Sequence, residues 1–259
     1  MAAGDREEKG LRRVFVSGED FCGVTDIGCL RRRNEDCLLV SASDGLLVVA
    51  DGLGGLPAGD RASRSAVDAV AGFLEGRLGR SVAAGEAREI LAGAFAAAQR
   101  EVTGEAARSG NAGMATTLVI GWVCGRRLYC SHVGDVRAYL LRDASAECLT
   151  TDHTLAAEMV AAGRLPASLV RDVPERNLLT RAIGLPDEEG PSFTSRELKP
   201  NDAVLLCSDG LWEPVLDEEL AASHEDILRD PRAAAIELVD LAITRGGRDN
   251  ISLAVARIR

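Results

Sequence analysis

Apolar, β-rich runs recur along this chain at 36–41, 46–50, 116–123, 128–133, 136–141, 203–207 and 251–258. Several are almost continuously hydrophobic, the pattern of strands covered on both faces. Helical patterns lie between the strand clusters. Residues 61–78 put Ala66, Val67, Val70, Phe73 and Leu74 on one stripe, with Asp60 placed to cap the start. Residues 84–107 are Ala-rich and anchored by Ile90, Leu91 and Phe95, and 233–244 form a third helix stopped by Gly246 and Gly247. Strands cluster with strands, without a regular strand–helix–strand alternation. That predicts an α+β layered domain rather than a doubly wound parallel sheet.

The chain of 259 residues fits one large domain, read here as 19–259 behind a short loose leader at 1–18. Residues 163–186 are irregular and carry Pro166, Pro174 and Pro186, as expected of a surface insertion that touches substrate. Met1 to Arg13 lack the apolar core of a secretory signal, and no apolar run approaches the ~18 residues that span a bilayer. A cytoplasmic protein without membrane insertion is the expectation. The formal net charge of -10 argues against nucleic acid, since the one tight basic cluster is Arg31, Arg32 and Arg33. Seven scattered cysteines with no Cys-x-x-Cys pair argue against zinc and against a disulfide framework.

Certain aspartates fall where the apolar runs begin or end. Asp36 precedes Cys-Leu-Leu-Val, Asp51 follows Leu-Leu-Val-Val-Ala, Asp209 follows Ala-Val-Leu-Leu-Cys-Ser, and Asp249 sits just before the last run. Glycine follows Asp51 and Asp209, letting the backbone come close. Any one of these reads equally as a turn residue or helix cap. Together, at the mouths of buried strands, they can converge at one end of a sheet, where carboxylates repel unless protons or cations intervene. Oxygen ligands without His or Cys favour Mg²⁺, Mn²⁺ or Ca²⁺ over zinc.

The residues around these aspartates resemble a known family. Thr25-Asp-Ile-Gly-Cys-Leu-Arg-Arg-Arg-Asn-Glu-Asp36 is similar to the opening motif of the bacterial type 2C (PPM) metal-dependent protein phosphatases. Ala50-Asp-Gly-Leu-Gly-Gly55 with Ala58-Gly-Asp-Arg-Ala-Ser63, then Gly113-Met-Ala-Thr-Thr117, resemble the next two motifs. His132-Val-Gly-Asp-Val-Arg-Ala-Tyr139, Leu149-Thr-Thr-Asp-His153 and Asn177-Leu-Leu-Thr-Arg-Ala-Ile-Gly184 follow in the family's order. Leu206-Cys-Ser-Asp-Gly-Leu-Trp212 and Arg248-Asp-Asn250 complete the set.

The resemblance implies a four-layer α-β-β-α sandwich, its central sheets mostly antiparallel, with a metal site at one end. It places Asp36, Asp51, Asp209 and Asp249 at the family's ligand positions for two Mn²⁺ or Mg²⁺ ions, with Gly52 giving its carbonyl. Asp135 matches the residue holding a third, weaker metal, Glu35 a carboxylate that positions water, and Arg31 the phosphate-binding arginine. The implied chemistry is in-line hydrolysis of phosphoserine or phosphothreonine on proteins by a two-metal-activated hydroxide. The stretch 161–181 overlaps the family's flap, where Arg164, Arg171 and Arg176 are expected to meet acidic residues around the phosphosite.

The resemblance also suggests a monomer acting on phosphoprotein substrates and opposing a bacterial Ser/Thr kinase, in some members within secretion-system regulation. Leu53 stands where some eukaryotic members carry a proton-donating histidine, and His153 is the nearest candidate by type. The general acid is open at this point. A phosphatase-like domain that binds phosphoproteins without turnover is the rival reading; the presence of all four ligand aspartates weighs against it. Other phosphatase chemistries lack their signatures: no Cys is followed by Arg six positions on, and no Asp-x-Asp occurs.

Overall fold

The computed structural model describes residues 13–53, 58–79, 81–187 and 189–259. The first half contributes strands β1 (Arg13–Ser17), β2 (Phe21–Asp26), β3 (Asp36–Ser41), β4 (Leu46–Asp51), β5 (Leu118–Cys124) and β6 (Arg127–Val133). The second contributes β7 (Arg137–Arg142), β8 (Ser145–Cys148), β9 (Ser192–Glu197), β10 (Ala203–Cys207) and β11 (Ile251–Arg257). The helices are α1 (Gly59–Leu74), α2 (Ala84–Ser109), α3 (Leu155–Ala161), α4 (Asp209–Trp212), α5 (Asp217–Ala222), α6 (His224–Arg229) and α7 (Pro231–Thr244).

The strands form two sheets, ordered β1-β2-β11-β10-β7-β8 and β3-β4-β5-β6-β9, and every ladder is antiparallel. Three apolar cores then define four layers. Leu47, Val49, Val119, Val204, Leu206 and Ala254 fill the space between the sheets. Leu46, Val48, Ile120 and Trp122 face outward onto α1 and α2, through Val67, Val70, Leu91 and Phe95. Leu205, Leu253 and Val255 face outward on the other side, onto Leu238, Val239 and Trp212. The alternation along β4 explains its unbroken apolar run: odd and even residues are buried against different layers. The α+β sandwich expected from the sequence is the observed fold.

Local features depart from expectation. Part of the supposed leader is structured: β1 pairs along its length with β2, and Arg13 bridges Asp26 at 2.8 Å and Asp240 at 2.7 Å. β2 is the next strand, so the two form a local hairpin, and only Asp240 lies far along the chain. Residues 1–12 of that leader lie outside the described residues. Asp60 does not cap α1. Ala58, in the left-handed region at φ 59°, precedes the helix, and Asp60 sits inside the first turn with its carboxylate on the Arg61 amide. Helix α1 also ends at Leu74, short of Leu78. Within the expected insertion, residues 167–172 and 174–177 form 3₁₀ turns with no buried side chain.

Candidate metal centre

Antiparallel pairing brings the strand-end aspartates to one end of the sandwich. Asp36 opens β3 and Asp51 closes β4, and the two are direct cross-strand partners. Such partners hold their Cβ atoms roughly 4.5–5.5 Å apart, where like charges repel. In the other sheet β10 runs into Asp209 while Asp249 and Asn250 lead into β11, its ladder partner. Asp135 precedes β7, whose Arg137 pairs with Cys207 of β10. A cavity of about 270 Å³ is lined by Arg31, Asp51, Thr117, Asp135, Asp209 and Asp249, with Leu53, Asn177, Leu179 and Glu213 completing its wall. Asp36, Glu35 and Gly52 are not among its lining residues; Asp36 is 8 % exposed, with Oδ2 accepting from Ser208 Oγ at 2.8 Å.

Polar ties fix the carboxylates. The Asp51 carbonyl accepts from the Thr117 amide and the Thr116 hydroxyl, both at 2.8 Å, and the Asp51 amide donates to Thr117 Oγ1. The Asn250 side chain accepts from the Glu35 amide at 2.8 Å and donates to the carbonyls of Ile27 and Arg33, pinning the 27–35 loop beside the site. The Asp135 carbonyl accepts from Trp212 Nε1, and the Arg137 guanidinium lies 3.6 Å from the centre of the Trp212 rings. Asn250, Thr117 and Trp212 stand in motifs visible in the sequence, but their roles depend on partners in other strands. Glu213 was missed altogether; its only sequence signal is its place just after Asp-Gly-Leu-Trp.

Gly52 sits where three backbones meet. A Cβ there would lie 2.2 Å from the Gly59 carbonyl oxygen and 2.7 Å from that of Glu35, so no larger residue fits without moving the chain. The Gly52 amide donates to the Glu35 carbonyl at 3.0 Å, tying the two sides of the site together. Gly54 and Gly55 of the same motif lie outside the described residues.

The electrostatics are those of crowded anions. Burial pushes Asp36, Asp51, Asp135 and Asp209 above the ordinary carboxylate range, and neighbouring aspartates push in the same direction. The Ser252 and Ser208 hydroxyls partly oppose this at Asp36. Glu35 is raised too, by burial first, against the pull of Arg31. Among the described residues Arg31 is the one cation in the cavity wall, its Nη2 at 2.6 Å from Asp249 Oδ2 and its Nη1 at 3.9 Å from Glu35 Oε2.

Two carboxylate oxygens, Asp36 Oδ1 and Asp209 Oδ1, are buried with no hydrogen-bond partner among the described residues. Leaving a buried acceptor unsatisfied costs about 1–3 kcal/mol, more when it is charged. An oxygen-only donor set with two orphaned anionic oxygens fits a hard divalent cation. Among the described residues no three acidic, His or Cys side chains close around a single point.

His153 is excluded as the proton donor. Its Nδ1 accepts from the Gly134 amide at 3.1 Å, its Nε2 meets Ser192 Oγ at 2.9 Å, and its ring stacks on His132. Burial, with His132 and Arg181 adding to it, pushes its pKa down to about 3, and it does not line the carboxylate cavity.

Residues 32–238 match the family model described as protein phosphatase 2C. The chain belongs to the protein phosphatase 2C family. The serine/threonine protein phosphatase PstP of Mycobacterium tuberculosis (strain ATCC 25618 / H37Rv) is 37% identical over 241 residues, covering 92% of this chain. This chain spans only 45% of the length of that relative. Protein phosphatase PhpP of Streptococcus pneumoniae serotype 2 is 31% identical over 239 residues, covering 90% of this chain and 94% of PhpP. A solved structure of the PstP catalytic domain in complex with two manganese ions superposes with a TM-score of 0.77 at 32% identity. That superposition covers 95% of this chain and 98% of the solved one. The type 2C fold expected from the motifs is therefore found both in sequence and in three dimensions.

Proposed function

We propose that this chain hydrolyses phosphoserine and phosphothreonine on proteins, with Mn²⁺ or Mg²⁺ held by Asp36, Asp51, Asp209, Asp249 and the Gly52 carbonyl, and a weaker third ion at Asp135. The observation that carries this reading is the pair of buried oxygens, unpartnered among the described residues, on Asp36, which opens β3 of one sheet, and on Asp209, which follows β10 of the other. Bound there, the ions would supply Lewis acidity toward water and positive charge toward the phosphoryl oxygens.

The chain's own groups complete the chemistry. Arg31 projects from the rim, 38% exposed, and its planar fork suits two phosphoryl oxygens in a way lysine does not copy. Leaving Asp249 for the phosphate is a short movement for so exposed a side chain. Glu35, whose amide is held by Asn250 and whose carboxylate stands 3.9 Å from Arg31 Nη1, is the group this reading assigns to accept a hydrogen bond from the attacking water. Water attacks phosphorus, the ester P–O bond breaks, and the seryl or threonyl oxygen takes up a proton. His153 does not give that proton, since both its ring nitrogens are engaged.

Phosphoprotein substrates require a Ser/Thr kinase to make them, so the reading includes an opposing kinase. It also includes monomeric action in the cytoplasm, with which the seven unpaired cysteines agree. No helix among the described residues is long and apolar enough to cross a membrane.

The test is phosphate release from a phosphothreonine peptide by the purified chain with Mn²⁺, with chelator, and with Asp36→Asn or Asp209→Asn. Turnover that needs metal and falls by more than about tenfold in each variant is expected, since each change removes more than about 1.4 kcal/mol of transition-state stabilisation. Binding of the phosphopeptide without release would point instead to a silent, phosphoprotein-binding domain.

A further inference from the structure

We propose that the cavity between the 161–181 insertion and the α7–β11 turn is an anion subsite for a second acidic group on the substrate, a carboxylate or phosphate flanking the phosphorylated residue. The proposal rests on the phosphatase reading for its substrate, and on a separate cavity for its chemistry. That cavity, about 300 Å³, is walled by Arg171 and Arg176 from the insertion and by Arg245 and Arg248 from beyond α7, beside Trp212. Glu213 and Asp249 line both this cavity and the carboxylate site, so the two are neighbours sharing a wall. A substrate whose phosphate lies at Arg31 and Asp249 thus has its adjoining residues beside this second opening.

Four guanidinium groups converge here in a protein whose net charge is -10. The overall charge repels acidic peptides, whereas this lining sets four arginines against two carboxylates, Glu213 and Asp249. The four are not equally committed. Arg245 is paired with Glu219 at 2.5 Å, Arg176 with Glu213 at 3.1 Å, and Arg171 stands 3.7 Å from Asp217. Arg171 also donates to the Glu213 carbonyl and Arg176 to the Arg171 carbonyl, so the insertion is docked and its arginines are held in place. Arg248 is exposed and has no carboxylate partner among the described residues; its chain lies over Gly246, with Cγ 3.7 Å from where a Cβ would stand. Its whole fork is available to a carboxylate or phosphate in the bidentate geometry that guanidinium favours. Arg248 is therefore the reader of the second anion, with Arg171 and Arg176 as its flanks.

The experiment uses the Mn²⁺-loaded full chain and three peptides in which a non-hydrolysable phosphonate replaces phosphothreonine. One is flanked by Gln, one by Glu and one by a second phosphonate, and binding is read by fluorescence anisotropy. An anionic flank is expected to tighten binding by about tenfold or more over Gln, and the stronger of the two identifies carboxylate or phosphate as the ligand. Arg248→Gln, and Arg171→Gln as a second variant, should reduce that preference to under about twofold while hydrolysis of an aryl phosphate stays unchanged. Equal binding of all three peptides, or a preference that survives both variants, would overturn the subsite. Loss of aryl-phosphate turnover in the unmodified chain would overturn the phosphatase reading instead, and leaves the peptide preference to be read on its own.

Discussion

Asp36 and Asp51 face each other across the β3–β4 ladder, the last pair before the sandwich opens into its acidic cavity. Two like charges on adjacent strands oppose folding unless something of opposite charge sits between them. The site is thus a place where stability is given up for binding, as is common where function requires it.

A first consequence concerns the metal-free protein. Asp209→Asn removes one buried charge from the cluster and keeps the side chain's shape. Its melting temperature without metal is expected to rise, by roughly 2–4 °C for each ~1 kcal/mol of repulsion relieved. The same variant should lose most of the stabilisation that Mn²⁺ gives the parent chain. Thermal melts with and without Mn²⁺ check both halves.

Arg31→Lys keeps the charge and loses the fork. It is expected to lower kcat/KM on a phosphothreonine peptide by about tenfold or more, chiefly through KM, and to behave more like Arg31→Ala than like the parent. Steady-state kinetics on the three proteins decide it.

Gly52→Ala and Gly72→Ala make a matched pair. The first puts a methyl group 2.2 Å from the Gly59 carbonyl oxygen and should destabilise the chain and spoil the site together. The second adds a methyl where nothing lies within 4 Å, on an exposed face of α1, and should stabilise by about 0.5–1 kcal/mol. Chemical denaturation of both variants provides the comparison.

His153 gives a pH signature. Its folded pKa, pushed down to about 3, lies below the ordinary value of 6.5, so the unfolded chain binds the extra proton first. Its contribution to stability is complete above pH 6.5 and is lost progressively as pH falls toward 3. His153→Gln is therefore expected to cost stability at pH 7 and to narrow the gap to the parent at pH 4–5. Denaturation midpoints across that range test the sign.

Much of the fold was legible because burial on both faces leaves long apolar runs, as in β4, β5, β10 and β11. The four strand-end aspartates stood out because each interrupts or borders such a run. What the sequence hid were elements with short or mixed apolar patterns and side chains whose partners are distant. Strand β1 reads Arg-Val-Phe-Val-Ser beside a charged leader, and only β2 and Asp240 show where it belongs. Strand β9, Ser-Phe-Thr-Ser-Arg-Glu, is half-buried at a sheet edge and has no apolar run to announce it. Glu213 gains its meaning only when Arg171 and Arg176 reach across from the insertion. His153 was a candidate by residue type alone, and its surroundings removed it.

The most direct test counts ions. Calorimetric titration of the metal-free chain with Mn²⁺, paired with phosphate release from a phosphothreonine peptide, should show at least two ions bound per chain and turnover that rises with their occupancy. Asp36→Asn should lose at least one of those ions and nearly all turnover. Full activity in metal-free protein, or undiminished binding and turnover in Asp36→Asn, would contradict a metal centre built from the strand-end aspartates.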